Sequence, residues 1–134
     1  MTFPTTFLPK TFTAALIAIG LATAPVAALA ADPTGTWQTT TGESRYKVSY
    51  CGGGEALCAK LVWLRDDAKT PENLELLGSY VVKGATPTAE NKWHGAVRYQ
   101  GDIYEGNVTL VGSDAMKLSG CKGMFCKSLS FTRL

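Results

Sequence analysis

The chain has 134 residues, with 13 Lys and Arg against 11 Asp and Glu, a net charge of +2, and 46% hydrophobic residues. So small a charge makes no basic field for nucleic acid or anionic lipid, and the length allows one modest core. Neither a nucleic-acid partner nor a second folded domain is expected.

Residues 1–30 read as a signal peptide. Lys10 is their only charge, the run 12–24 is apolar apart from Thr13, Gly20 and Thr23, and Ala28-Leu29-Ala30 offers the small residues read by a signal peptidase. Cleavage is expected after Ala30. The run stops at Pro25, short of the roughly twenty apolar residues that a membrane span needs. The mature domain, 31–134, is therefore expected to be monomeric, periplasmic or secreted, without membrane insertion after cleavage. An oxidising compartment also changes what four cysteines mean.

Short alternating strands follow in chain order. A first strand is expected at 35–40. In 43–50, Tyr46, Val48 and Tyr50 share one face while Arg45, Lys47 and Ser49 share the other, as in a half-buried strand. Gly52-Gly53-Gly54 turns the chain into a second strand, 57–64, with Leu61 and Trp63 on one face. Setting Cys51 opposite Cys58 pairs Tyr50 with Ala59, Val48 with Leu61 and Tyr46 with Trp63, so every inward residue meets another.

The segment 65–76 breaks the pattern. Thr70-Pro71-Glu72 looks like a helix start and Gly78 a stop, which predicts one short helical turn around 70–76 in a charged loop. A strand is expected at 77–83, then a meander from 93 to 133. A two-residue turn at Gly101-Asp102 pairs Tyr99 with Tyr104, Val97 with Gly106, Gly95 with Val108 and Trp93 with Leu110, and sets Arg98 against Glu105 outside. A three-residue loop, Gly112-Ser113-Asp114, puts Met116 opposite Leu110. Cys121 opposite Cys126 pairs Leu118 with Leu129 and Met116 with Phe131.

These elements predict an all-β fold: a small antiparallel up-and-down β-barrel of about eight strands, closed so that no edge is left bare.

The chemistry-bearing residues are few. Cys51, Cys58, Cys121 and Cys126 lack the tight paired spacing of zinc ribbons, so two disulfides with local pairing are expected ahead of metal or crossed connectivities. His94 is the one histidine. The register above places it outside with Lys92 and Arg98, opposite Thr109, and no serine or cysteine nucleophile meets it there. Asp66, Asp67, Glu72 and Glu75 lack a calcium-loop pattern. The expectation is no catalytic residue, no metal and no cofactor. Trp37, Tyr46, Trp63, Trp93, Tyr99, Tyr104 and Phe131 fall mostly on the inner face, where they either line a ligand cavity or fill the barrel.

Gly35-Thr36-Trp37 with Arg133 resembles the signature of lipocalin-like barrels, in which the guanidinium stacks on the tryptophan and closes the base. A wider resemblance spans nearly all of 35–133. It includes Cys51-Gly52-Gly53-Gly54, Leu57-Cys58-Ala59-Lys60-Leu61-Val62-Trp63-Leu64, Leu77-Gly78, Trp93-His94-Gly95, Tyr104-Glu105-Gly106, Leu118-Ser119-Gly120-Cys121, Phe125-Cys126 and Phe131-Thr132-Arg133. This is similar to the bacterial exported family called domain of unknown function 2147. Relatives carry a longer Asp/Asn-rich stretch with an Arg-Pro pair where this chain has only 65–76, and mostly Gly where it has Ala59. The resemblance implies a secreted barrel and no settled chemistry. The expected function is a non-enzymatic exported barrel binding a small apolar or amphipathic ligand. The alternative is a protein-interaction module, such as an envelope stress factor or inhibitor, working through 65–75.

Overall fold

Alternating apolar residues build eight strands among the described residues: β1 (Gly35–Thr39), β2 (Ser44–Cys51), β3 (Ala56–Leu64), β4 (Tyr80–Ala89), β5 (Lys92–Tyr99), β6 (Asp102–Val111), β7 (Ala115–Lys122) and β8 (Phe125–Arg133). The structure is a computed structural model describing residues 31–134 together with residues 2, 15 and 17–20. The expected cleavage motif, 28–30, and most of the leader lie outside the described residues. Among the described residues no helix is long and apolar enough to cross a membrane. Each strand pairs antiparallel with its chain neighbour and β8 pairs with β1, which closes an up-and-down barrel. Closure hydrogen-bonds every edge. Val48, Leu57, Leu61, Val82, Val97, Val108, Leu110 and Met116 form the buried core.

The β6–β7–β8 register follows the side-chain pattern: Leu110 faces Met116 across the three-residue loop, Leu118 faces Leu129, and Cys121 faces Cys126. Two other hairpins are displaced from the sequence expectation. Cys51 pairs with Ala56 and Ser49 with Cys58, so Val48 meets Ala59 and Tyr46 meets Leu61. Likewise Tyr99 pairs with Asp102, Val97 with Tyr104, Gly95 with Gly106 and Trp93 with Val108, while Arg98 faces Ile103 rather than Glu105. Both corrections are slips of two positions. Side chains alternate with period two, so a two-residue slip keeps every face, and turn chemistry has to decide. At the second hairpin Gln100 and Gly101 both have positive φ, 47° and 81°, the signature of a two-residue I′ turn one position earlier than expected.

β4 begins after the expected start and runs past the expected end at Lys83. Gly84 (φ 81°) sits where the β3–β4 register shifts, so it marks a bulge rather than the end of a strand. A second shift, between the Ala59–Val82 and Lys60–Tyr80 pairs, leaves Val81 as the extra residue, and both Val81 and Val82 are buried.

The helical prediction is met by α1 (Pro71–Leu76), preceded by a 3-10 turn, Asp66–Ala68. Thr70 caps it, its hydroxyl accepting from the Asn73 N–H at 3.2 Å, and Leu76 is buried against the barrel. Four of the surrounding charges, Arg65, Asp66, Asp67 and Lys69, are paired within the loop. Arg65 donates to both Asp67 oxygens at 2.6 and 2.9 Å, which holds the Asp67 carboxyl below the usual range, and Lys69 lies 2.9 Å from Asp66.

Disulfides join Cys51 to Cys58 and Cys121 to Cys126, at opposite ends of the barrel. Cys58 is buried, whereas Cys121 and Cys126 are exposed. A thiol reductant is therefore expected to open Cys121–Cys126 first, since exchange needs access to sulfur. Each bond closes a short loop and should contribute about 2 kcal/mol. Stepwise reduction, alkylation and peptide mapping test the order; earlier labelling of Cys51 and Cys58 would refute it.

Candidate functional site

The end of the barrel that carries residues 31–35 is plugged. Trp37 is 0% exposed and its indole N–H donates to the Pro33 carbonyl at 2.8 Å. The Arg133 guanidinium lies 4.4 Å from the Trp37 ring centroid. It donates to the carbonyls of Thr34 at 2.6 Å, Ser113 at 2.8 Å and Asp32, tying the N-terminal lead and the β6–β7 loop to the last strand. A Cβ on Gly35 (φ 133°) would stand 2.9 Å from the guanidinium, so glycine there is what lets the arginine reach the lead. The Thr34 backbone N–H bonds the Asp32 carboxylate and holds its pKa below the ordinary value.

Above this plug lies a cavity of about 50 Å³ lined by Trp37, Tyr46, Val97, Tyr99, Leu118 and Phe131, among others. Its walls are almost wholly hydrocarbon and aromatic. The Tyr46 and Phe131 rings meet edge-on at 5.6 Å, and the Ser44 hydroxyl donates to the Tyr46 oxygen at 3.3 Å. Burial pushes the Tyr46 phenol up from its ordinary pKa, so it stays neutral there.

A smaller recess of about 20 Å³ adjoins the cavity, sharing the walls Val97, Tyr99, Leu118 and Leu129, and adding Tyr104, Gly120 and Lys127. Gly120 makes room for it, since a Cβ there would lie 3.1 Å from the Tyr104 Cβ. The Lys127 ammonium stands 5.3 Å from the Tyr99 ring centroid and 5.9 Å from that of Tyr104.

The candidate aromatics divide by position. Trp37, Tyr46, Tyr99 and Phe131 line the cavity, and Tyr104 lines the recess beside it. Trp93 is buried, but its indole N–H donates to the Glu55 carbonyl at 2.9 Å, which makes it a brace between β5 and the β2–β3 turn. Trp63 departs most from expectation. The register shift between Arg45 and Tyr46 sets Trp63 opposite Arg45, whose guanidinium lies 4.3 Å from the ring centroid. That bulge carries the indole to the outer face, where with Val62, Leu64 and Leu77 it borders an open groove of about 380 Å³.

Sequence reasoning passed over Lys127. Alternation through Phe125, Lys127, Leu129 and Phe131 puts that lysine on the inward face, and a cation at an inward position was the signal available. His94 is outside, opposite Asn107 rather than Thr109, with its ring nitrogens 2.9 Å from Asn107 Oδ1 and 3.2 Å from Glu105 Oε2. All three side chains are exposed to solvent.

With this geometry in view, the comparisons with known proteins are specific about family. The model for an uncharacterized protein conserved in bacteria, DUF2147, matches residues 35–133. The chain belongs to this family. No curated protein matches it. Among solved structures, the DUF2147 chain is similar to protein HP1028 from the human pathogen Helicobacter pylori, described as belonging to the lipocalin family. The TM-score is 0.60 at 14% identity, over 78% of this chain and 84% of that one. Such low identity speaks for the fold, a lipocalin-like barrel, and leaves the site to be argued from its own residues.

Proposed function

We propose that this DUF2147 protein is an exported, non-enzymatic barrel that holds the hydrocarbon end of a small amphipathic molecule between the Trp37 plug and the Tyr46–Tyr99 level. The observation that carries this reading is the apolar cavity inside a barrel closed at one end. Hydrocarbon walls give water too few partners, so an alkyl or aryl group is the favoured occupant. At about 50 Å³ the space is equivalent to roughly three to five waters. It suits a chain end, not a ligand needing the ~300–1,000 Å³ of a drug-sized site. Export is supported by the leader sequence and by the two disulfides, which persist in oxidising compartments.

Decanol is the probe for the cavity alone. It should bind saturably, by calorimetry, and raise Tm. Ala59→Leu, which adds volume to the cavity wall, should abolish both effects while leaving the barrel folded by circular dichroism. Absence of binding and of thermal shift in the native protein would refute the reading. A second reading, a protein partner, is favoured by the outer groove at Trp63 beside the charged loop. A Trp63→Ser variant losing a partner captured by the native protein would support it.

A further inference from the structure

We infer that the head group of the ligand is anionic and that Lys127 holds it. The inference rests on the cavity reading above and adds the chemistry of the ligand's polar end.

Lys127 stands on the inward face of β8 one alternation step beyond Leu129, which lines the cavity, and two beyond Phe131. Its ammonium sits against the Tyr99 and Tyr104 rings. Because the recess shares four walls with the cavity, a chain seated on Trp37 leaves the barrel past this ammonium.

Lys127 is exposed to solvent at the mouth of the recess, its ammonium beside two ring faces and open to an incoming group. Among the described residues it makes no ion pair. Asp102 lies 2.6 Å from Lys122, Asp66 and Asp67 are engaged by Lys69 and Arg65, and Glu105 is on the outer face beside His94. An anionic group leaving the cavity would therefore meet a cation that no carboxylate already holds. The chemistry is that of a single-chain amphiphile ending in a carboxylate or sulfate: apolar below, anionic at the level of Lys127, with the aromatic rings fixing the ammonium between them.

Decanoate, decyl sulfate and decanol are compared at one pH and ionic strength, below their micelle concentrations. At pH 7.5 the two anions should bind the native protein about tenfold more tightly than decanol, the worth of one charge-assisted hydrogen bond. Added salt should shrink the advantage. Lys127→Gln should remove it, leaving all three probes bound alike, and Lys127→Arg should retain most of it. Lys122→Gln, which removes a rim cation already engaged by Asp102, should change nothing. Equal binding of anions and decanol by the native protein would overturn the anionic head group while leaving the cavity reading intact. An anion advantage that survives Lys127→Gln would overturn the assignment to this lysine. Failure of every probe would overturn both readings together.

Discussion

Trp37→Ala is expected to destabilise the barrel by roughly 3–5 kcal/mol, enough to lower Tm by on the order of 20 °C in a domain of this size. Three losses coincide. The indole is 0% exposed, so its whole apolar surface leaves the core. The bond to the Pro33 carbonyl goes with it, leaving an acceptor beneath the barrel without its donor. The Arg133 guanidinium, 4.4 Å above the ring, loses the surface it stacks on while remaining tied to three carbonyls. Because Trp37 also floors the cavity, truncation enlarges that space instead of letting neighbours collapse into it. Denaturant unfolding of the native protein, Trp37→Ala, Arg133→Met and the double variant measures both the cost and the coupling. A Trp37→Ala penalty under 1 kcal/mol, or strictly additive changes, would show that the plug does not act as a unit.

The second large effect comes from adding atoms. A Cβ at Gly106 would lie 2.7 Å from the Val97 Cγ2, with Leu118 Cδ1 and the Ser119 carbonyl both at 3.4 Å. Glycine here is a packing requirement: the Val97 side chain on the neighbouring strand β5, with Leu118 on β7, already fills the space a Cβ would take. Gly106→Val should cost about 2–3 kcal/mol through overpacking. The cause is separable from any backbone effect. Val97→Ala removes the clashing methyl, so Gly106→Val in that background should cost less than Gly106→Val alone. An unchanged penalty in the Val97→Ala background would move the explanation to the backbone.

Much of the architecture was legible because period-two alternation needs only local sequence. Tyr46 and Val48 in β2, and Leu118, Leu129 and Phe131 in the last hairpin, declare their faces, and Cys121 and Cys126 agree with them. The Gly35-Thr36-Trp37 and Arg133 pair was legible as a resemblance, and its stack forms the plug. The site was readable only in part. Trp63 alternates with Leu61 and looks inward until the Arg45–Tyr46 bulge turns it outside. Trp93 looks like a cavity wall until its indole is seen reaching the Glu55 carbonyl.

The amino-acid sequence by itself determined the fold class, the closing tryptophan and arginine, and which side of the sheet most residues occupy. Each of these follows from local periodicity or from two residues at the ends of one chain. Only the tertiary structure decided the registers of β2–β3 and β5–β6, the outward place of Trp63, the size of the cavity and the setting of Lys127 among Tyr99 and Tyr104. Slips of two residues leave the hydrophobic pattern unchanged, so they are settled by turn geometry and bulges, and a cavity exists only once strands distant in sequence have met.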